Sequence, residues 1–186
     1  AVDYVHKRDK KLYIALNIFA HNCHVSKIEQ YLNELAKYPV DAFIVSDPGV
    51  LSIVRDVIPE ATIHISTQAN CTNARAADFW HQQGVKRVVL ARELSLSEIS
   101  KISTDSDCKT EVFVHGAMCL SYSGRCYLSS YMANRGANLG DCAQSCRWKY
   151  SLVEEERPGE YLQVFEDGEF TSIMSSRDLC MIEHIP

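Results

Sequence analysis

The stretch Asp41–Val50, DAFIVSDPGV, contains the signals that decide the fold. Its segment Ala42–Ser46 is short and mostly apolar, which is typical of a strand buried on both faces of a sheet. Asp47 can cap the first turn of a helix with its side chain, and Pro48 suits the first helical position. A buried strand that leads directly into a capped helix predicts a βα unit.

The same pattern recurs on both sides of this stretch. Further strands are predicted at Lys11–Phe19, Thr62–Ser66, Arg87–Ala91 and Glu111–His115. One helix is predicted to begin near Asn73. Two others are predicted to begin with capping boxes, formed by Ser26 with Glu29 and by Ser95 with Glu98. Strands that alternate with helices in this way predict right-handed βαβ units on a parallel sheet.

A (β/α)8 barrel of the TIM type and an open doubly wound sheet both fit this alternation. No G-x-G-x-x-G follows any predicted strand, which weakens a dinucleotide-binding sheet. The predicted strands end in polar residues instead, and barrel enzymes build their active sites at that end. We therefore favour a partial TIM-type barrel over residues 1–115. Because about five strands do not close an eight-stranded barrel, we expect an internal fragment of a longer protein.

Three of these polar residues are candidate catalytic residues. The guanidinium of Arg92 suits a substrate carboxylate or phosphate, or a salt bridge to Glu93. Gln68 follows a predicted strand, where it is positioned either to bind substrate or to form a turn. His115 ends the last predicted strand and is a candidate general base, although a purely structural histidine fits equally well.

Composition limits the classes of function. The chain is 46% hydrophobic and 23% charged, which is enough for one sizeable core. Its formal charge of -5 gives no general attraction to nucleic acid or to an anionic membrane. No apolar run approaches the ~18 residues of a membrane span, so we expect a cytoplasmic protein without membrane contact. Neither H-E-x-x-H nor G-x-S-x-G is present, so no zinc-protease or serine-hydrolase motif is visible.

Half of the eight cysteines lie close together in residues 116–186, as Cys119, Cys126, Cys142 and Cys146. Thiolates bind zinc and iron–sulfur clusters. Structural zinc usually takes two short C-x2–4-C knuckles, whereas the spacing here is C-x6-C-x15-C-x3-C, which favours an iron–sulfur cluster. Zinc, disulfides and free thiols are the alternatives. We expect the four sulfurs to converge, and we expect Cys180 to pack on a helix in SSRDLCMIEHIP.

Several segments together resemble a known family. EVFVHGAMCLSYSGRCYLSSY (Glu111–Tyr131) is similar to the signature of the collagenase-like putative peptidases, the thirty-second family of the unassigned (U) type. IHISTQAN, RVVLARELSLSEI and CRWKYSLVEEERPGEY fit the same family, in its tRNA hydroxylation branch. The resemblance implies a barrel-like fold, formation of 5-hydroxyuridine at the wobble position of tRNA, and prephenate as a small-molecule oxygen donor. It also implies a [4Fe–4S] cluster on the four clustered cysteines.

The leading hypothesis is therefore a tRNA uridine hydroxylase that carries an iron–sulfur cluster. In CRWKY, basic and aromatic residues alternate directly after Cys146, which suits nucleic acid or the shielding of a cluster. A collagenase-like peptidase is the first alternative, with Ser123 or a pair of Cys119 and His115 as its nucleophilic machinery. A non-catalytic iron–sulfur protein within a hydroxylase assembly is the second, and it would require a protein partner.

Overall fold

The computed structural model describes residues 1–148, 150, 152–153, 155–156, 158–159, 161–162 and 178–185. The chain divides into two compact units, Ala1–Phe113 and Val114–Pro186. No helix in these described residues has the length and apolarity that a membrane span requires.

The first unit is built on a parallel sheet of five strands. In chain order they are β1 (Tyr13–Leu16), β2 (Ala42–Val45), β3 (Ile63–Ile65), β4 (Arg87–Val89) and β5 (Lys109–Glu111). Their order in the sheet is the same as their order in the chain, and each neighbouring pair is parallel. The predicted parallel α/β arrangement is confirmed.

Helices precede and connect the strands of this unit. They are α1 (Val2–His6), α2 (Asn22–Leu35), α3 (Pro48–Val57), α4 (Ala74–Gln82) and α5 (Leu96–Asp105). The two predicted caps at Asp47 and Ser95 are present, and the helix predicted to begin near Asn73 is capped by that residue. Asp47 Oδ1 accepts from Val50 N at 2.9 Å, and Asn73 Oδ1 accepts from Ala76 N at 2.9 Å. Ser95 and Glu98 form the predicted capping box of α5.

Helix α2 begins earlier than the sequence predicted. Its N-cap is His21, and the capping box joins His21 to His24, whose Nδ1 accepts from His21 N at 2.9 Å. Ser26 and Glu29, the predicted capping pair, lie inside the helix. Histidine is not among the preferred N-cap residues, so the sequence rules gave it no weight against serine.

The core of the first unit lies between the sheet and one face of the helices α2 to α5. Val45, Ile65 and Val88 of the strands are fully buried, as are Leu32 of α2 and Val54 of α3. Burial of one such side chain contributes about 1.5–3 kcal/mol relative to its exposure to water. The first unit therefore owes its stability to an ordinary hydrophobic core.

The predicted fifth strand, Glu111–His115, is wrong in its bounds. The observed β5 pairs Lys109 to Glu111 with β4, and Leu90 N donates to Glu111 O at 2.8 Å. Its sequence, KTE, is polar, and its two outer residues are exposed. The hydrophobic pattern therefore predicted the strand at the apolar residues that follow. His115 instead begins β6 (His115–Ala117) in the second unit.

The second unit consists of short elements. Strand β6 pairs antiparallel with β9 (Asp178–Cys180), and β7 (Leu152–Val153) pairs antiparallel with β8 (Tyr161–Leu162). One α-helix, α6 (Leu128–Ala133), is described. The remaining described elements are 3-10 turns at Tyr122–Gly124, Ala137–Leu139, Ser145–Arg147 and Ile182–His184.

The prediction that Cys180 packs on a helix is wrong. Cys180 ends strand β9 and pairs with His115, and its side chain is exposed. Among the described residues that follow it, 181–185, helical structure is limited to the 3-10 turn Ile182–His184. Leu179 pairs with Gly116, so this segment is part of a two-stranded sheet. The local helical periodicity of the sequence does not reveal such a long-range contact.

The described part of the second unit lacks an apolar core. Its buried side chains are three serines, Ser123, Ser129 and Ser145. Apolar side chains described there are half-buried or exposed. The described residues of this unit are therefore held together largely by polar contacts, such as the hydrogen bond from Ala143 N to Ser129 Oγ at 2.8 Å.

Candidate functional site

A network of buried polar groups links the carboxyl ends of the first strands. Asn17 Nδ2, after β1, donates to Ser66 Oγ, after β3, at 3.3 Å. Ser46 Oγ, after β2, donates to Asn17 O at 2.9 Å. Thr67 Oγ1 donates to Leu90 O at 3.1 Å, which extends the network to β4. Each bond crosses between strands, so the network fixes the geometry of this edge.

Two of the predicted catalytic residues lie at this edge. Gln68 sits in a 3-10 turn after β3, where its backbone N–H donates to Ser66 Oγ at 3.3 Å. Arg92 follows β4, and its guanidinium carbon lies 5.4 Å from the ring centroid of Phe113, within cation–π range. Both side chains are half-buried. Since β3 and β4 are adjacent and parallel, Gln68 and Arg92 share one edge of the sheet.

The third predicted catalytic residue, His115, belongs to the second unit. It is exposed, and it opens β6 opposite Cys180. Its predicted place at the end of a sheet strand is therefore wrong, because β5 ends at Glu111. Its catalytic role stays a prediction.

The segments that carry the four clustered cysteines are held together by hydrogen bonds. Ala143 N donates to the buried Ser129 Oγ at 2.8 Å, which joins the chain after Cys126 to the chain between Cys142 and Cys146. Arg147, next to Cys146, donates from Nη2 to Met118 O at 3.5 Å, and Met118 precedes Cys119. Each of these two bonds joins segments that lie far apart in the sequence and contain or flank the clustered cysteines.

Two of the four sulfurs accept backbone hydrogen bonds. Leu128 N donates to Cys126 Sγ at 3.3 Å, and Gln144 N donates to Cys142 Sγ at 3.3 Å. Burial opposes ionisation of the Cys126 thiol. Hydrogen bonds from Ser121 and from the backbone N–H groups of Ser129 and Leu128 outweigh burial, so the pKa of Cys126 is lowered. Such bonds favour the thiolate, which is the form that binds metals.

Across the described residues, which include all four of these cysteines, no group of three or more His, Cys, Asp or Glu side chains is arranged to hold a metal ion. The four thiols as placed are therefore not a ready-made ligand set, and their convergence stays a prediction. The donor chemistry fits a metal–thiolate centre, because the sulfurs are free cysteines and two of them accept N–H bonds.

Sequence reasoning missed Asn138. Its Oδ1 accepts from Cys126 N at 3.1 Å, and its Nδ2 donates to Cys126 O at 3.1 Å. The amide therefore holds the backbone of this cysteine on both sides. Nothing in the sequence distinguishes Asn138 from other loop asparagines, because the bridge spans twelve positions.

Aromatic side chains are exposed on the second unit. Tyr127 and Tyr131 are 84% and 87% exposed, and they lie four positions apart at the start and middle of α6. Trp148, in the predicted CRWKY stretch, stacks with Tyr150 at a centroid distance of 6.4 Å. Lys149 lies outside the described residues. Exposed rings of this kind suit stacking against nucleic-acid bases.

The peptidase nucleophile proposed at Ser123 is not accessible. Ser123 is fully buried within the turn Tyr122–Gly124, at a φ of 51°. A nucleophile that attacks a peptide must reach the scissile carbonyl, and this side chain does not reach the surface.

The described residues define a class of protein, in which a parallel α/β unit is followed by a small cysteine-rich unit. A match to a protein-family model identifies the family within this class. The chain belongs to peptidase family U32, whose model matches residues 1–186.

The curated relatives that match this chain include proteins named for tRNA hydroxylation and one named as a protease. The chain is 43% identical to tRNA hydroxylation protein P1 of Bacillus subtilis over 186 residues, which is 100% of the chain and 44% of that protein. It is 38% identical to tRNA hydroxylation protein P of Escherichia coli, covering 99% of the chain and 49% of that protein. It is 40% identical to an uncharacterized protease of Methanocaldococcus jannaschii, covering 100% of the chain and 45% of that protein.

A solved structure supports the fold. The U32 peptidase Mk0906 superposes with a TM-score of 0.53 at 19% identity, over 63% of this chain and 51% of that one. At that identity the likeness shows the fold alone. The chain spans about half the length of the curated relatives it matches.

Proposed function

We propose that this chain is part of an enzyme that hydroxylates tRNA, converting the wobble uridine to 5-hydroxyuridine. The observation that carries the proposal is the similarity along the whole chain to proteins named for tRNA hydroxylation. The reaction replaces the C5–H bond of uracil by C5–OH. It therefore removes two electrons from the base and needs an oxygen-atom donor, for which the resemblance implies prephenate.

The surface of the second unit supports RNA as the substrate. Tyr127 and Tyr131 are the most exposed aromatic side chains of the described residues, and Arg125 is exposed two positions before Tyr127. Aromatic rings stack on bases without regard to sequence, while arginine neutralises phosphate. The chain's formal charge of -5 means that such binding has to be local.

We assign Cys119, Cys126, Cys142 and Cys146 as the ligands of an iron–sulfur cluster, of the [4Fe–4S] type, with zinc as the alternative. The cross-links between their segments and the N–H···S bonds support this assignment. A bound cluster would supply electron transfer.

At the sheet edge, we assign substrate positioning to Gln68 and Arg92. Phe113 lies within cation–π range of the Arg92 guanidinium, and the polar network beneath Gln68 is already formed. A guanidinium held in this way suits a carboxylate of the oxygen donor or a phosphate of the RNA. His115 is assigned as a general base with no support beyond its chemistry.

We also propose that the sheet is part of a (β/α)8 barrel. The strands follow one another in the sheet in chain order, so every crossover steps in the same direction. With right-handed crossovers, all connecting helices then lie on one face, as in a barrel. A doubly wound sheet instead reverses its strand order at a switch point.

The test compares cysteine variants of the complete protein in a strain that lacks the gene. Cys126→Ser should lose most 5-hydroxyuridine from tRNA, measured by mass spectrometry of nucleosides. It should also lose most iron from protein purified without oxygen, because the ligand set is incomplete. Cys23→Ser and Cys180→Ser make the same substitution at exposed thiols and should retain both.

Three other results would redirect the assignment. Stoichiometric zinc without iron in wild-type protein would replace the cluster by zinc. Collagen-peptide cleavage that is lost in Cys119→Ser and kept in Cys142→Ser, without any change in tRNA, would favour the peptidase. Hydroxylation by purified protein only after addition of a second protein would favour a non-catalytic partner.

A further inference from the structure

A basic cavity lies at the amino-terminal edge of the sheet, opposite the edge that carries Gln68 and Arg92. Its volume is about 210 Å³. This is several times the ~30 Å³ that one water molecule occupies in the liquid, so a small ion fits. It is lined by side chains at the starts of the strands, chiefly Lys11, Tyr13, His64, Lys86, Arg87 and Lys109.

Positive charge dominates this cavity. Four of its lining side chains are cationic, and one, Asp41, is anionic. Asp41 is already engaged, because its Oδ2 accepts from Leu12 N at 2.7 Å and lies 2.8 Å from His6 Nε2. Its charge also acts on Lys11, so Asp41 offsets part of the positive charge of the four cations. Arg87 Nη1 forms an ion pair with Glu111 Oε2 at 3.2 Å, and Lys11, Lys86 and Lys109 add three further positive charges to the lining.

Two of the side chains that line the cavity each carry a buried nitrogen with no hydrogen-bond partner among the described residues. These nitrogens are His64 Nδ1 and Arg87 Nε. His64 is only 5% exposed, and it is the register partner of Arg87 in the sheet. The Nε of arginine can only donate. A buried donor without an acceptor is costly, so this cavity lacks an acceptor that an anion would supply.

We propose that this cavity binds a phosphate group. A phosphate carries up to two negative charges and several acceptor oxygens, so it can accept from Arg87 Nε while contacting Lys86 and Lys109. The side chain of Arg87 is planar and fork-shaped, a geometry that matches phosphate oxygens. His64 Nδ1 completes the donor set in its Nδ1–H tautomer. The phosphate comes either from the RNA backbone or from free phosphate.

The test uses the complete protein with two double variants of equal charge. Lys86→Gln/Lys109→Gln alters the cavity, whereas Lys27→Gln/Lys101→Gln removes two exposed lysines from α2 and α5. Inorganic phosphate binding is measured by calorimetry, with the His64 ring signals followed by NMR. We expect the cavity variant to bind phosphate at least ten times more weakly, and we expect the control variant to match the wild type.

A second arm identifies the source of the phosphate. If it is the RNA backbone, the cavity variant should also bind tRNA more weakly and with a smaller salt dependence, by about one unit of slope per lysine. If tRNA binding is unchanged while phosphate binding is lost, the ligand is free phosphate. The proposal is overturned if wild-type protein leaves the His64 signals unmoved at millimolar phosphate, or if both double variants lose binding equally. Neither outcome depends on tRNA hydroxylation.

Discussion

Single thiols in this chain differ in acidity according to their surroundings. Cys71 is fully buried, and burial raises its pKa to about 11 against the smaller, opposing effect of a backbone hydrogen bond from Asn73. The pKa of Cys126 is lowered, because the hydrogen bonds at its sulfur outweigh its burial. At neutral pH the first thiol is inert and the second is the better ligand.

The raised pKa of Cys71 makes the stability of the first unit depend on pH. In the unfolded chain this thiol has its ordinary pKa of 9.0, and in the folded chain about 11. Its contribution is fully present below pH 9 and is lost as pH rises toward 11, by at most about 1.4 kcal/mol per pH unit. Urea unfolding from pH 8 to 10.5 should therefore show a steeper loss for wild type than for Cys71→Ala. If the stabilities of the wild type and of Cys71→Ala fell in parallel with pH, the raised pKa of Cys71 would be contradicted. Cys23→Ala makes the same substitution at an exposed site and serves as the control.

Caps and sheet-edge residues were predictable where the signal is local. Asp47, Asn73 and Ser95 bond to residues three positions away, so the sequence contains the whole interaction. The bridge from Asn138 to Cys126 and the bond from Ala143 to Ser129 cross longer loops. Those contacts depend on how the second unit packs, which no local pattern encodes.

Among the elements, helix α3 shows how much one cap contributes. Asp47 satisfies Val50 N, which has no partner inside the helix. Asp47→Ala should lower the free energy of unfolding by about 1 kcal/mol. Asp56→Ala makes the same change at an exposed position in the last turn of α3 and should cost nothing, because an acidic side chain is unfavourable there. Urea unfolding of both variants is the measurement, and equal losses would show that Asp47 does not act through its cap.

The first and last residues of the strands were harder to predict than those of the helices. Strands β1 to β4 lie within the predicted segments because their residues are mostly apolar. Strand β5 has two exposed charged residues in three, so hydrophobicity placed it several residues too late. Strand β9 pairs with β6, which lies more than 60 positions away in the chain. Its local sequence has helical periodicity, which wrongly predicted a helix.

For the whole molecule, the proposed (β/α)8 barrel can be tested at the two outer strands of the sheet, β1 and β5. Within the described residues, β1 and β5 each pair with one neighbour, so alternate N–H groups at their outer edges have no strand partner. If the sheet belongs to a barrel, strands elsewhere in the complete protein pair with those edges. Residue-resolved hydrogen exchange should then show consecutive slow amides in Tyr13–Leu16 and Lys109–Glu111, as in the central β3. Alternating fast amides in either outer strand would exclude closure.

The serine-lined interior of the second unit has a thermodynamic consequence. Heat capacity of unfolding comes mainly from apolar surface newly exposed to water, whereas exposure of polar surface lowers it. The described residues of the second unit bury hydroxyl groups and hold apolar side chains near the surface, so their unfolding adds little heat capacity. The aliphatic core of the first unit therefore adds more curvature to the stability profile with temperature than these described residues do. Cooling weakens that core more than it weakens the contacts of the buried serines described in the second unit.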